Sequence, residues 1–283
     1  MQVADLLAEA SIRIEKSLGL DKRVARLEAR VLAAFIWEVA PSWLIAHDTD
    51  PLSPEHISRF CSALERRLEG EPIAYITGYR EFYGREFHVT PDVLIPRPET
   101  ELLVELALEY IPTQQPMQIL DLGTGSGAIA VTLAKLRPQA LITAVDVSPD
   151  ALAIARQNAA RLGTDNIRFI ASDWFQALDP ASQFDLIIAN PPYIAANDPH
   201  LQQGDVRFEP LNALQSGADG LDAIRRIAQE SRRFLTPNGH LMFEHGYNQQ
   251  EACANILASF AYAHINCQRD LAKQPRVSSG KKS

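Results

Sequence analysis

Asp121-Leu122-Gly123-Thr124-Gly125-Ser126-Gly127-Ala128 is the stretch on which the fold turns. It follows an apolar run, Gln118 to Leu122, that reads as a strand, and it opens a helical pattern. Glycines let a backbone turn sharply and approach a ligand closely. A strand, glycine loop and helix in that order place the loop at the carboxyl end of a parallel strand, where α/β sheets bind their ligands. Further strand candidates follow at Leu141 to Val147, Ile167 to Ala171, Phe184 to Ala189 and His240 to Glu244. Helical runs lie between them, such as Pro149 to Leu162 and Leu221 to Phe234. Alternation of this kind predicts an α/β fold with a mostly parallel sheet and helices on both faces. Ala263 to Arg269 and Arg276 to Ser279 come after the last long helix and fit an antiparallel edge.

Upstream of the loop the texture differs. Leu6, Leu7, Ala10, Ile14 and Leu18 recur at helical spacing until Gly19. A second helix is expected from Asp21 to about Val39, before Pro41. A third starts at Ser53-Pro54-Glu55, a capping residue followed by proline in the first turn, and runs to Gly70. Tyr75 to Ile95 is rich in β-formers, and Gly78 and Gly84 mark turns, so a β-hairpin is expected there. The domains are accordingly drawn as a helical module over 1–71, a hairpin linker over 72–95, and the α/β domain over 96–283.

The chemistry gathers at the strand ends. Asp146 closes the strand after the loop, roughly 20 residues on, where an acid accepts hydrogen bonds from both hydroxyls of a ribose. Gly123, Gly125 and Ala128 also satisfy the dinucleotide pattern, so the loop alone leaves a nicotinamide oxidoreductase open. Asp121 leans the other way: a carboxylate just before the loop repels a pyrophosphate and suits the ammonium of a methionine moiety. Asp173 and Trp174 follow the third strand, where an acid can accept from an adenine amine and an indole can cover the ring. A capping acid beside a core tryptophan explains that pair equally well.

Asn190-Pro191-Pro192-Tyr193 ends the apolar strand Phe184 to Ala189. Two prolines stop the strand and stiffen its end. The Asn190 side-chain carbonyl and the Pro191 carbonyl are acceptors for the two N–H bonds of a planar NH2 group, and Tyr193 can stack on that group. An amide nitrogen is a poor nucleophile because its lone pair is delocalised. Fixing both N–H bonds helps localise the pair, and positioning does much of the rest. Together these residues point to a methyltransferase using S-adenosylmethionine on an amide-type nitrogen, whereas a dehydrogenase gives the tetrapeptide no role.

Other signals are weaker. The formal net charge of -8, with 46 % hydrophobic and 22 % charged residues, describes an ordinary globular chain and disfavours binding nucleic acid by bulk charge. Cys61, Cys253 and Cys267 have neither disulfide nor zinc spacing, and no metal is expected. No run approaches the ~18 apolar residues of a membrane span, and the N-terminus carries no targeting pattern, so a cytoplasmic protein is expected. Glu244 and His245, at a strand end, read as structural, and Arg226, Arg232 and Arg233 as a solvated helix face.

These residues carry a resemblance over nearly the whole chain. Glu71 to Gly78, Leu94-Ile95-Pro96-Arg97-Pro98-Glu99-Thr100-Glu101, the glycine loop, Ser172-Asp173-Trp174, the tetrapeptide and Gly204 to Pro210 are similar to the peptide-chain-release-factor glutamine N5-methyltransferases. The tetrapeptide is also shared with DNA-adenine N6 and ribosomal-RNA guanine N2 methyltransferases, which supply the alternative function. The proline-arginine-proline stretch is more specific. The resemblance implies a class I methyltransferase (Rossmann-like) domain with a seven-stranded sheet, behind a small N-terminal helical domain that recognises substrate. It implies S-adenosylmethionine as methyl donor, held by Gly123, Thr124, Gly125, Ser126, Gly127, Asp146, Trp174 and Asn190, to which the strand-end reading above adds Asp173. It also implies a substrate glutamine, in the Gly-Gly-Gln loop of class I peptide chain release factors, held by Asn190, Pro191, Pro192 and Tyr193. Asn190, Pro191 and Tyr193 are the implied catalytic residues. A monomer without direct nucleic-acid or membrane partners is expected. Glu99 stands where the family commonly has Asp, and Lys273 and Gln274 stand where it usually shows a glycine and a small polar residue.

Overall fold

In the N-terminal part the periodic runs become α1 (Val3–Leu18), α2 (Lys22–Ile36), α3 (Trp43–Ala46), α4 (Pro54–Leu68) and α5 (Ile73–Thr77). The computed structural model describes residues 1–283. Local chemistry sets the ends of these helices. The Asp21 carboxylate accepts from the Arg23 N–H at the start of α2, and Ser53 Oγ accepts from the His56 N–H at the start of α4. Gly19 closes α1 in the left-handed conformation. The core joins Leu6, Ala10 and Ile14 of α1 to Ala25, Ala29 and Leu32 of α2 and to Phe60 and Leu64 of α4. The opposite face of α2 leaves Val24, Leu27, Val31 and Phe35 exposed.

Two expectations shift here. Helix α2 stops at Ile36 rather than near Val39, because Trp37 turns into the core, donating from Nε1 to the His56 carbonyl at 3.1 Å, and Glu38 takes a left-handed φ of 56°. Tyr75 and Ile76, read as β-formers, lie in α5, where Pro72 caps one end and Gly78, at φ 76°, the other.

By contact the chain falls into two units. One holds Met1–Tyr79 with Gln202–Phe208; the other holds Arg80–Leu201 with Glu209–Ser283. In the first, the Arg67 side chain, 3 % exposed, is met by Glu28 at 2.8 Å and by Asp205 at 3.0 Å. Arg207 donates to the Glu69 carbonyl at 3.0 Å.

The second unit is built on strands. The hairpin β1 (Tyr79–Phe82) and β2 (Arg85–His88) leads to α6 (Glu101–Tyr110), β3 (Gln118–Leu122), α7 (Ala128–Leu136), β4 (Leu141–Asp146), α8 (Pro149–Leu162), β5 (Ile167–Ala171) and β6 (Phe184–Ala189). Then come α9 (Asp222–Phe234), β7 (Leu235–Glu244), α10 (Gln250–Ser259), β8 (Tyr262–Arg269) and β9 (Pro275–Lys282). Seven strands form one sheet in the order β5-β4-β3-β6-β7-β9-β8. The first five in that order run parallel, and β9 runs antiparallel to both β7 and β8.

Strands buried on both faces send alternate residues to two cores. Ile119, Ile142, Leu186, Ile188 and Met242 meet α6, α7 and the hairpin residues Phe82 and Phe87. Leu120, Leu122, Val145, Ile187, Leu241 and Phe243 meet α9 and α10. The hairpin is also pinned by Asn158 of α8, which accepts from the His88 N–H and donates to the carbonyls of His88 and Ser126. At Gly127, φ 81°, a Cβ would stand 3.2 Å from both Ala155 Cβ and Val131 Cγ2, so the glycine lets α7 and α8 close on each other.

The order of strands reverses between β3 and β6, which opens a crevice at their carboxyl ends. Leu122 pairs with Ala189, and Ala189 with Phe243. The register therefore sets Gly123, Asn190 and Glu244 side by side on the rim.

Candidate active site

Each parallel strand delivers one part of the site where it ends. Beyond β3 the loop amides are already engaged. The N–H groups of Gly123 and Thr124 both donate to the Val145 carbonyl at 2.9 Å, that of Gly125 to Asp146 Oδ2 at 2.8 Å, and that of Gly127 to the Thr124 carbonyl at 2.8 Å. A dinucleotide fold leaves such amides free to cradle a pyrophosphate. With four of them consumed, the loop presents turned backbone rather than a phosphate nest, which counts against the nicotinamide reading.

Two carboxylates flank the loop. Asp121 is fully buried; Oδ2 accepts from Thr124 Oγ1 at 2.7 Å, and Oδ1 has no partner. Burial pushes its carboxyl up to about 7, with the Asp146 charge adding to the rise. Asp146, at the end of β4, accepts from the N–H groups of Gly125 and Ser148, one on each oxygen, and burial raises it as well. Each of its oxygens keeps a lone pair for a ligand hydroxyl.

Beyond β5, Ser172 Oγ donates to the Trp174 carbonyl and accepts from the Ala177 N–H, which fixes a turn with Trp174 at a left-handed φ of 53°. The turn brings the indole against Gly123, where a Cβ would lie 3.5 Å from the ring. Asp173 sits in this turn with a partner that sequence spacing does not reveal: Arg226 Nη1, at 2.9 and 3.0 Å from its two oxygens. Arg226 was expected on a solvated helix face; it also pairs with Glu230 and lines the site.

Beyond β6, Asn190 donates from Nδ2 to Thr100 Oγ1 at 3.0 Å, and Thr100 donates to Glu244 Oε2 at 2.7 Å. The Tyr193 hydroxyl donates to Glu244 Oε1 at 3.1 Å. Pro191 is buried, and Gln249 Nε2 donates to the Tyr193 carbonyl at 3.0 Å. Gly220, at φ 77°, passes so close to that carbonyl that a Cβ would lie 2.3 Å from it. Burial raises Glu244 above the usual carboxylate range, although the hydroxyls of Thr100 and Tyr193 and the nearby Arg276 oppose the rise. Burial, then the charge of Glu244, raises the Tyr193 phenol, so it stays protonated near neutral pH. Glu244, expected to be structural, joins Thr100 to Tyr193 in the network behind Asn190.

These strand ends enclose a cavity of about 420 Å³, inside the range of ~300–1,000 Å³ for small-molecule sites. Gly123, Gly125, Asp146, Asp173, Trp174, Asn190 and Pro192 lie on its wall. Thr124, Ser126, Gly127, Pro191 and Tyr193 are not on that wall. The far side is closed by Asp92 to Leu94 and by Pro210, Asn212, Ala213, Gln215 and Ser216. An ion pair between the half-buried Arg97 and the buried Glu209 joins those two walls, and Glu209 Oε2 also accepts from the Ile95 N–H at 3.2 Å. The orphaned Oδ1 of Asp121, the two-sided carboxylate of Asp146 and the indole over a glycine backbone suit a ligand with a cationic amine, vicinal hydroxyls and a flat ring.

Comparison with known proteins bears on the same residues. The family described as "Methyltransferase domain" matches residues 114–280, and the "PrmC N-terminal domain" matches residues 5–78. The release factor glutamine methyltransferase of Bordetella pertussis is 49% identical over 265 residues, covering 94% of this chain and 98% of that one. The protein of the same description from Escherichia coli is 44% identical over 256 residues, covering 90% and 92%. Among solved structures, a methyltransferase from Pyrococcus furiosus superposes with a TM-score of 0.55 at 15% identity, over 78% of this chain and 98% of that one. That last likeness is one of fold.

Proposed function

The chain belongs to the release factor glutamine methyltransferase family, and on that footing we propose that it transfers a methyl group from S-adenosylmethionine to the side-chain N5 of the glutamine in the Gly-Gly-Gln motif of class I release factors. The observation that carries this reading is the single cavity whose wall holds Asp146 and Trp174 on one side and Asn190 and Pro192 on the other.

When bound, S-adenosylmethionine supplies a methyl group on a positively charged sulfur, and S-adenosylhomocysteine remains afterwards. The roles of the protein groups follow from what each offers. Asp121 Oδ1 takes the amino group of the donor's methionine part, helped by Thr124, which orients the carboxylate. Asp146 takes the ribose hydroxyls. Trp174 covers the adenine, and Asp173, held by Arg226, accepts from its exocyclic amine. Gly123 to Gly127, Ser126 included, keep the backbone low enough for close approach, and Asn190 borders both ligands.

On the substrate side, Asn190 Oδ1 and the Pro191 carbonyl accept the two N–H bonds of the glutamine amide, while Pro192 walls the pocket and Tyr193, off that wall, is held by Glu244. Holding both bonds raises the lone-pair density on a nitrogen that resonance otherwise deactivates. The nitrogen becomes acidic once methylated, so its surplus proton leaves without a strong base. Tyr193 is unsuited to be one, because its phenol remains protonated.

Recognition of the release factor is assigned to the helical residues 1–71. The exposed stripe Val24, Leu27, Val31 and Phe35 on α2, bordered by Arg23, Arg26 and Arg30, supports this: an apolar stripe with basic residues beside it suits a protein surface of acidic and apolar character. No helix is long and apolar enough to cross a membrane. A monomer acting in the cytoplasm, beside the translation machinery, fits this reading.

The test incubates the purified chain with labelled methyl donor and a class I release factor, a Gln→Ala variant of its loop, or nucleic acid. Label is expected in the intact release factor alone. Label in nucleic acid, with none in the release factor, would favour the adenine N6 or guanine N2 alternative.

A further inference from the structure

The tetrapeptide network contains two residues to which nothing above assigns a part in the reaction, Thr100 and Glu244. We propose that they are positioning residues: Glu244, acting through the Thr100 hydroxyl, locks the side-chain amide of Asn190 with its nitrogen turned inward and its oxygen presented to the cavity. The inference rests on the reading that Asn190 receives a substrate N–H.

The argument is one of donor and acceptor count. The two ends of an asparagine amide have nearly the same shape, so only their partners decide which way it faces. Thr100 Oγ1 is buried between Asn190 Nδ2, at 3.0 Å, and Glu244 Oε2, at 2.7 Å. A carboxylate has acceptors only, and a hydroxyl has one proton. With Glu244 ionised, the Thr100 proton goes to Glu244, and Thr100 can only accept from Asn190. Only Nδ2 satisfies that demand.

The second oxygen of Glu244 is held by the Tyr193 hydroxyl at 3.1 Å, so the carboxylate cannot swing away to free Thr100. Arg276, which pairs with Asp270 at 3.0 Å, supplies positive charge near this buried acid. Thr100 is supplied by the turn before α6, Asn190 by β6 and Glu244 by β7, so three separate elements converge on one hydrogen-bond direction. Were the amide reversed, its NH2 would face the substrate NH2, donor against donor. The same chain thus orients the acceptor and excludes its unreactive rotamer.

The test uses the full-length chain with release factor and S-adenosylmethionine. Thr100→Val removes the relay and is expected to lower kcat ~10–100-fold, a part of what loss of a preorganised polar contact does, with KM for the release factor and calorimetric affinity for the donor within about twofold of wild type. Thr100→Ser keeps the hydroxyl and is expected to restore most of the rate. Glu244→Gln admits both amide orientations and is expected to fall in between. In the Asn190→Ala background, Thr100→Val should add nothing further, because the group it orients is gone.

Full additivity of those two changes, or a Thr100→Val enzyme with normal kcat, would overturn the inference. Absence of methylation by the wild-type chain would instead defeat the functional reading. The lock is then tested without substrate, from the side-chain NH2 signals of Asn190 in amide NMR. Slow exchange with solvent that becomes fast in Thr100→Val supports the lock, and fast exchange in the wild type removes it.

Discussion

At the scale of residues, the site is a set of groups placed in tension with their surroundings. Asp121 is the clearest case. Burial lifts its folded-state pKa to about 7, above the unfolded value of ~3.9. The folded chain therefore holds a proton that the unfolded chain releases, and stability declines as pH rises between those two values. Asp121→Asn keeps an acceptor for Thr124 without the charge. It is expected to raise the Tm of the chain without cofactor at pH 8, read by thermal denaturation. It should also weaken S-adenosylmethionine binding ~10–100-fold, the worth of a hydrogen bond to a charged group. Wild-type affinity should strengthen from pH 6 to pH 8 as Asp121 ionises, and that trend should vanish in the variant. A flat wild-type profile by calorimetry would move the ammonium site elsewhere. Asn190→Ala is expected to lower kcat ~10²–10³-fold in a single-turnover assay. Asp146 and Asn190 stand out in the sequence because each lies at the end of an apolar run, and Asp121 because it precedes the glycine loop; strand ends are where an α/β sheet binds. Thr100, Glu244 and Arg226 were not. Their partners lie 90, 144 and 53 positions away, and no local pattern marks a pairing that only the sheet order creates.

At the scale of elements, hydrophobic period was a good guide to type and a poor one to ends. The strands Gln118–Leu122 and Phe184–Ala189 stand where the apolar runs put them. The α5 turn was missed because the β-propensity of Tyr75 and Ile76 spoke louder than the Pro72 and Gly78 that cap it. The last hairpin raised a different question, since Lys273 stands where the resembling family usually has glycine. Lys273 takes a left-handed φ of 62° and donates its N–H to the Asp270 carbonyl at 2.8 Å, while the Gln274 N–H reaches Asp270 Oδ1 at 2.9 Å. The turn is thus closed by Asp270 despite the unfavourable conformation of Lys273. A non-glycine residue there costs ~1–2 kcal/mol, partly offset by the entropy glycine has in the unfolded chain. Lys273→Gly is therefore expected to stabilise the fold by about 0.5–1 kcal/mol, measured by urea denaturation. A loss of stability would mean that the Lys273 side chain does more than tolerate the turn.

At the scale of the molecule, charge is unevenly spread. The chain carries a net -8, yet α2 begins Lys22-Arg23 and continues with Arg26 and Arg30 beside its exposed apolar stripe. Interface energy concentrates in a few apolar and arginine contacts. The double substitution Leu27→Glu with Phe35→Glu is expected to reduce kcat/KM for the release factor ~10-fold or more, with donor affinity and Tm unchanged. Unaltered kcat/KM would place recognition on another face. The texture of the sequence changes after Gly70, but nothing in it marks the return of Gln202–Phe208 to the helical unit, since Asp205 meets Arg67 across 138 positions. That return makes the architecture an interlaced one, with the first unit written in two separate passages of the gene. A recombination event that exchanged only the codons for residues 1–79 would deliver a helical unit whose buried arginine met a foreign strap. Lineages can therefore replace this module only by changing both passages together, and designers who graft a new one must carry the heptapeptide with it.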